Sequence, residues 1–205
     1  MHIKLVVFDF DGTLVNLNQD ITKLRDKLSK LALSYGVQLK FKPILDDIHK
    51  LKLVAGEEAY NKAIRIINSD DMQLAEKARL IDSANEICKK LKMDGVKIAI
   101  FSRTYSEAIK YCLRKLNFPE FDLIMGRFEG GNDKREQLRE ILNKLSIPPE
   151  KTIVVGDHVI DVKAGKSLRC LSVGIENKRF DKEKLIENGA DIVIKDVSEL
   201  LQVIK

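Results

Sequence analysis

The stretch LVVFDFDGTLV, residues 5–15, sets Asp9 and Asp11 two positions apart at the end of an apolar run. Burial makes a carboxylate expensive, so acids placed there call for a chemical use. Three more features follow apolar runs or open a helix: Ser102 after KIAIF, Lys134 within GGNDKRE, and Asp157 and Asp161 in VVGDHVID. Carboxylates that converge on one cleft repel each other and lose hydration, so they either rise in pKa or recruit a cation. A hard divalent cation with oxygen ligands answers that need. Mg2+ suits a site of few carboxylates, ordered waters and a substrate phosphate better than Ca2+, which takes more protein oxygens. Ser102 adds a hydroxyl donor. Lys134 adds a point charge at a helix start, where backbone N–H groups also favour anions. Cation, lysine, hydroxyl and helix terminus together describe a phosphoryl-binding site.

Such residues meet only if the elements before them are neighbours in one sheet, because α/β sites lie beyond the carboxyl ends of parallel strands. Ile3–Phe8 reads as a short strand buried on both faces. The pattern then turns helical. Leu17, Ile21, Leu24, Leu28 and Leu31 recur at three- and four-residue steps, as do Ile44, Ile48 and Leu51 after Pro43, and Ala59, Ala63 and Ile67 after a break at Gly56. A further helix is expected over 72–92, ending near Asp94-Gly95, and none of this stretch carries a strand signal.

Beyond it strand and helix alternate. Strands are expected at Val96–Phe101, Leu123–Met125, Thr152–Val155, Leu171–Val173 and Ile192–Ile194, and helices at Thr104–Leu116, Lys134–Leu145, Val159–Leu168, Lys182–Glu187 and Ser198–Val203. This alternation gives βαβ units and an α/β fold class, a parallel sheet with helices on both faces. Asp133 with Glu136 is placed to cap the helix that begins at Lys134, and Thr104 with Glu107 has the form of a second capping box.

A chain of 205 residues suits one domain, or a core domain carrying a smaller insert. Charged residues make up 33%, above the roughly 25% of average soluble proteins, and the net charge is +5. Basic residues alternate with acids, as in DKREQLRE, so no nucleic-acid partner is expected; the surplus reads as attraction for an anionic substrate. Cys88, Cys112 and Cys170 show no C-x-x-C spacing and are expected to be free, reduced and buried. The apolar run at Leu5–Phe8 is stopped by Asp9 and no segment has membrane-spanning length, so a cytoplasmic location without a membrane partner is expected.

In order along the chain, DFDGT, FSRT, Lys134 in GRFEGGNDKRE, and GDHVID resemble the four motifs of the haloacid dehalogenase superfamily, and the likeness spans nearly the whole chain. It is to the phosphatase branch with a helical cap inserted after the first motif, phosphoglycolate phosphatase-like. The resemblance implies a Rossmann-like catalytic core of residues 1–15 and 93–205 and an all-helical cap of residues 16–92 that closes over the site and chooses the substrate. It implies that Asp9 is a nucleophile forming an aspartyl-phosphate, and that Asp11 is general acid toward the leaving group, then base toward water. Ser102 and Lys134 would hold phosphoryl oxygens, with the Arg103 N–H. Gly12 would permit a turn that aims N–H groups at phosphate, braced by Thr13. Mg2+ would be bound by Asp9, the Asp11 carbonyl and Asp157, with Asp161 binding directly or through water. The family's dehalogenase branch lacks an acid at the Asp11 position, so its presence favours phosphate chemistry.

Each residue alone has a plainer reading. Ser102 would be a turn serine, Lys134 a solvated lysine with Arg135 as the alternative cation, and His158 an ordinary loop histidine rather than a partner of Asp157 or of substrate. His49, Lys52 and Arg65 fit solvent-facing positions in the insert, and the leucine series fits its packed interior. It is the ordered combination that points to a Mg2+-dependent phosphatase acting on a small phosphorylated metabolite. The rivals are a phosphomutase using the same nucleophile on a sugar phosphate, a receiver-type phosphate-responsive binding module, and nucleic-acid binding through the basic surface. Apolar strand edges decide no oligomeric state.

Overall fold

The structure is a computed structural model that describes residues 2–131 and 133–204. Its centre is set by the most apolar short runs of the sequence. β1 (Leu5–Phe8), β4 (Lys97–Phe101), β5 (Leu123–Met125), β6 (Thr152–Gly156), β7 (Leu171–Ile175) and β8 (Ile192–Ile194) form one sheet. The strand order is β5-β4-β1-β6-β7-β8 and every pairing is parallel. Parallel strands need crossovers on the sheet faces, and both faces are covered. Leu5, Val7, Ala99, Phe101 and Val154 point to a core shared with Leu138, Ile141 and Ala164. The alternate residues Val6, Phe8, Ile98, Ile100, Ile153 and Val155 are fully buried as well.

The crossovers are α3 (Ala84–Met93), α4 (Ser106–Lys115), α5 (Lys134–Leu145), α6 (Val159–Ser167) and α7 (Lys182–Glu187), and α8 (Leu200–Ile204) closes the described chain. From β1 the chain proceeds outward through β4 to β5, then returns to β6 on the other side of β1. The carboxyl end of β1 is therefore the switch point of the sheet, where α/β folds open a crevice.

The chain divides into two compact units, residues 1–17 with 78–205, and residues 18–77. The second consists of α1 (Ile21–Ser34) and α2 (Ile44–Lys77). Asp20 caps α1 by accepting from the Thr22 and Lys23 N–H groups, which is why the helix begins at Ile21 rather than at Leu17. Leu24, Leu28, Ile48, Leu51, Ala63 and Ile67 form its core. α2 is broken at Gly56, whose φ of 83° lies in the left-handed region.

Two expectations need correction here. The helix expected over 72–92 is two helices, since α2 stops at Lys77 and α3 starts at Ala84. Between them β3 (Arg79–Leu80) pairs antiparallel with β2 (Val15–Asn16), and the Ile81 N–H donates to the Leu14 carbonyl. A two-residue strand is too short to leave an alternating pattern, so the apolar spacing on either side read as one helix. The insert is correspondingly shorter than 16–92: α3 buries Ala84, Ile87, Cys88 and Leu91 within the α/β unit and packs on β4. The three cysteines are free and buried, as expected. Among the described residues no helix is long and apolar enough to cross a membrane.

Candidate active site

Asp9 is the first residue past β1. Its N–H continues the ladder by donating to the Val155 carbonyl at 2.8 Å, so the backbone is fixed where the side chain leaves the sheet. The side chain is nearly buried, and its Oδ1 accepts a hydrogen bond from the Lys134 ammonium. Lys134 stands in the first turn of α5, whose start is fixed by Asp133 accepting from the Glu136 N–H at 2.9 Å. Its Nζ also donates to the Phe101 carbonyl at 2.8 Å and lies 2.9 Å from Asp161 Oδ1 and 4.0 Å from the centre of the Phe101 ring. Of the two candidate cations, Lys134 is buried among the acids and Arg135 is exposed.

The loop after Asp9 turns back at once. The Phe10 carbonyl accepts from Leu14 and Val15 N–H groups, and the Gly12 N–H donates to the Val15 carbonyl. Gly12 has φ +90°, and a Cβ there would lie 2.4–2.9 Å from the Asp157 carboxyl atoms. No other residue type fits both the conformation and that approach. Asp11 Oδ1 accepts from the Leu17 N–H at 2.8 Å. Thr13 is fully buried, and its Oγ1 is the buried side-chain polar atom without a partner among the described residues.

β6 delivers the remaining acids. Asp157 follows Gly156, and Asp161 sits in the first turn of α6, with its Oδ2 accepting from the His158 N–H at 3.1 Å. His158 caps the same helix, since its Nδ1 accepts from the Ile160 N–H. Its ring packs edge-on against Phe180 with centroids 4.5 Å apart, which favours the plain reading of this histidine. Oxygens of Asp9, Asp157 and Asp161 all lie within 4.8 Å of one another. The Asp11 carboxylate is not one of that group.

Ser102, 2% exposed, follows β4, and its Oγ accepts from the Thr104 N–H at 3.1 Å. Arg103 is exposed. The capping box expected from Thr104 and Glu107 does not form: α4 begins at Ser106, Ser102 takes the Thr104 N–H, and Glu107 pairs with Lys110 at 2.7 Å. In the helical unit, His49 stacks on Tyr60, Lys52 pairs with Glu57, and Arg65 is exposed.

The electrostatics follow from this crowding. Burial pushes Asp9 up to about 6 against the pull of Lys134, with Asp161 adding to the rise. Burial raises Asp11 to about 6 as well, although the Leu17 N–H favours its charged form. Asp157 reaches about 7 through burial and the neighbouring charges of Asp9, Asp161 and Asp11. Burial works to depress the Lys134 ammonium, but Asp161 and Asp9 overcome it and hold its pKa above the ordinary value. Burial, with Arg179 nearby, lowers His158 to about 4, so it is neutral at pH 7. Three carboxylates facing one ammonium leave negative charge uncompensated. Their donors are all hard oxygens at mutual distances that one small cation can span, so the residues fit Mg2+.

Two side chains that hold this arrangement together were not singled out in the sequence. Asn177 donates from Nδ2 to the Asp157 carbonyl at 2.6 Å and to its Oδ2 at 3.1 Å. It lies two residues past β7, the neighbour of β6, so the rule that led to Ser102 and Asp157 applied to it also. Gln137, 4% exposed, donates from Nε2 to the Ser102 and Gly126 carbonyls. Its signal was a polar residue one turn after Lys134, on the buried side of an amphipathic helix.

Comparison with known proteins shows the family. The chain is 29% identical to a phosphoserine phosphatase of Methanocaldococcus jannaschii over 98% of both chains. It is 24% identical to the pyrophosphatase PpaX of Listeria monocytogenes over 99% of this chain and 97% of that one. A structure of a predicted phosphatase from Clostridium acetobutylicum superposes with a TM-score of 0.75 at 20% identity, covering 100% of this chain and 99% of the other. Residues 3–169 match the haloacid dehalogenase-like hydrolases, and the chain belongs to that family.

Proposed function

We propose that the chain is a Mg2+-dependent phosphatase that hydrolyses a small phosphomonoester through an aspartyl-phosphate on Asp9. The observation that carries this reading is the division of labour between two carboxylates two residues apart. Asp9 is gathered with Asp157, Asp161 and Lys134, whereas Asp11 stands outside that group, held by the Leu17 N–H and pushed up to about 6. An acid–base group is most useful when its pKa lies near the working pH, and two acids in different surroundings can take different roles.

In this reading an Asp9 oxygen attacks phosphorus. The bond from phosphorus to the ester oxygen breaks, and the departing oxygen takes its electron pair together with the Asp11 proton. The Asp11 carboxylate then draws a proton from a water whose oxygen attacks the phosphorus. Orthophosphate leaves and Asp9 is restored. Lys134 and Ser102 hold phosphoryl oxygens, with the Arg103 N–H contributing a further donor, while the Gly12 N–H is given to the Val15 carbonyl and serves the turn itself. Asp9, Asp157 and Asp161, with the Asp11 carbonyl, would hold Mg2+, which supplies positive charge against the phosphoryl oxygens and lets an anionic nucleophile approach.

The names of the relatives suggest a substrate panel: phosphoserine and pyrophosphate, to which the family resemblance adds phosphoglycolate. The test is release of orthophosphate from these compounds and from an aryl phosphate, with and without Mg2+, by the wild type and Asp9→Asn. Metal-dependent release that disappears in the variant is expected. Full activity in Asp9→Asn, or no turnover by the wild type, would defeat the proposal.

A further inference from the structure

The loops that follow β4 and β5 are fastened together along their length. The Ser102 N–H donates to the Met125 carbonyl at 2.8 Å, and the Arg127 N–H donates to the Thr104 carbonyl at 2.9 Å. Glu129 accepts from the Ser106 hydroxyl at 2.7 Å and from the Gly126 N–H at 2.9 Å. Gly126 approaches the other loop so closely that a Cβ would lie 2.7 Å from the Thr104 carbonyl oxygen. Two carbonyls of this seam, those of Ser102 and Gly126, face α5, and the Gly126 carbonyl also accepts from the Glu129 N–H at 3.1 Å.

Gln137 meets both, at 3.1 and 2.8 Å. Facing two acceptors, its amide must present the NH2 group, whose two protons suit two carbonyls; no carboxylate or hydroxyl of that reach could do the same. Gln137 is one helical turn beyond Lys134, so one face of α5 contributes both the ammonium beside Asp9 and the clamp on the loop that holds Ser102. Lys134 is itself tied to that loop through the Phe101 carbonyl.

We propose that Gln137 is a positioning residue for phosphoryl recognition: its amide locks the Ser102 and Gly126 backbones to the start of α5, so that the Ser102 hydroxyl and the Lys134 ammonium face a phosphoryl group as one preorganised pair. The inference rests on the phosphatase reading above. It assigns Gln137 no contact with substrate. It also separates Gln137 from the acids, because Asp9, Asp157 and Asp161 are placed by β1, β6 and α6, none of which Gln137 contacts through these bonds.

The test replaces Gln137 with Met, which keeps length and removes the donor, and with Glu, which keeps shape and sets an acceptor against two carbonyls. Both variants should weaken inhibition by orthophosphate about tenfold and lower kcat/KM on an aryl phosphate by a similar or larger factor. The Mg2+ concentration for half-maximal activity should stay within about twofold of wild type, and Gln137→Glu should be the more damaged. A merely structural role would lower Tm and leave the orthophosphate constant of the folded protein unchanged, and that result would overturn the proposal. So would an equal loss in Mg2+ and phosphate affinity. If neither variant folds, the Gln137 side-chain amide protons of the wild type decide by NMR: slow exchange with solvent and a shift on adding orthophosphate with Mg2+ support the clamp, and fast exchange or no shift refutes it. Should the wild type turn over no phosphomonoester, the phosphatase reading fails, and calorimetric orthophosphate binding to the same variants still judges Gln137.

Discussion

The helical unit and the carboxyl edge of the sheet treat charge in opposite ways. In residues 18–77 the core cluster is apolar, built on Leu24, Leu28, Phe41, Ile48 and Leu51, and pairs such as Lys62–Glu58 and Lys52–Glu57 lie on the surface, although Asp47 and Asp71 are buried. At the sheet edge Asp9, Lys134 and Asp161 are 8%, 5% and 1% exposed. Asp47 sharpens the contrast, because it is a buried acid inside the helical unit. It is met by Lys50 and by the Lys42 N–H, which hold its carboxyl below the ordinary value. Asp9 and Asp157 are displaced upward instead. A buried acid satisfied by its neighbours is part of the fold, whereas buried acids left short of positive charge mark a place where another group is to bind.

The contrast breaks most visibly at Lys134. Lys134→Met strips Asp9 and Asp161 of the ammonium that contacts both, so the metal-free protein should lose roughly 3–5 kcal/mol in urea unfolding. Its kcat/KM should fall by about 10^3 even with Mg2+ present. Wild-type stability in the variant would mean that the acids are not coupled through this lysine.

A smaller effect should appear on titration. Asp9, Asp11 and Asp157 bind their protons more tightly in the native state than in the unfolded chain, since their values rise from 3.8 to about 6, about 6 and about 7. Their contribution to stability is therefore complete below about pH 4 and is lost as pH rises through about 7. Without metal, Tm should decline across that window by on the order of 5 °C from this site, less in Asp157→Asn. Saturating Mg2+, which binds the ionised native acids, should remove the decline. A metal-free protein whose stability from the site rises with pH would contradict the upward shifts.

The smallest effect belongs to the helical surface. Glu58→Gln breaks the exposed pair with Lys62, and Tm should stay within about 1 °C at any pH between 5 and 8.

Much of this contrast was legible in the residues. Long buried strands with β-branched residues, such as TIVV, and helices with firm caps, such as α5 after Asp133, fell within a residue or two of their observed ends. The pair β2–β3 did not, because two residues make no pattern and their pairing joins positions far apart in the chain. At the site, the charged residues announced themselves by breaking apolar runs. Gln137 and Asn177 did not, since an uncharged amide at the edge of an element looks the same whether it faces water or two carbonyls. The false capping box at Thr104 shows the converse: a local pattern lost its N–H to Ser102, a partner required by the loop geometry at the strand end.

The central claim, that Asp9 takes the phosphoryl group while the Asp11 side chain moves protons, is tested most directly by acid quench and mass spectrometry of the peptide bearing both residues. An aryl phosphate is the substrate of choice, because its leaving group departs without help and only the second step needs Asp11. The account predicts that Asp11→Asn accumulates one phosphoryl group on Asp9, that the wild type shows less of it at steady state, and that Asp9→Asn shows none. A phosphoryl group on any other residue, or turnover by Asp9→Asn at the wild-type rate, would contradict it.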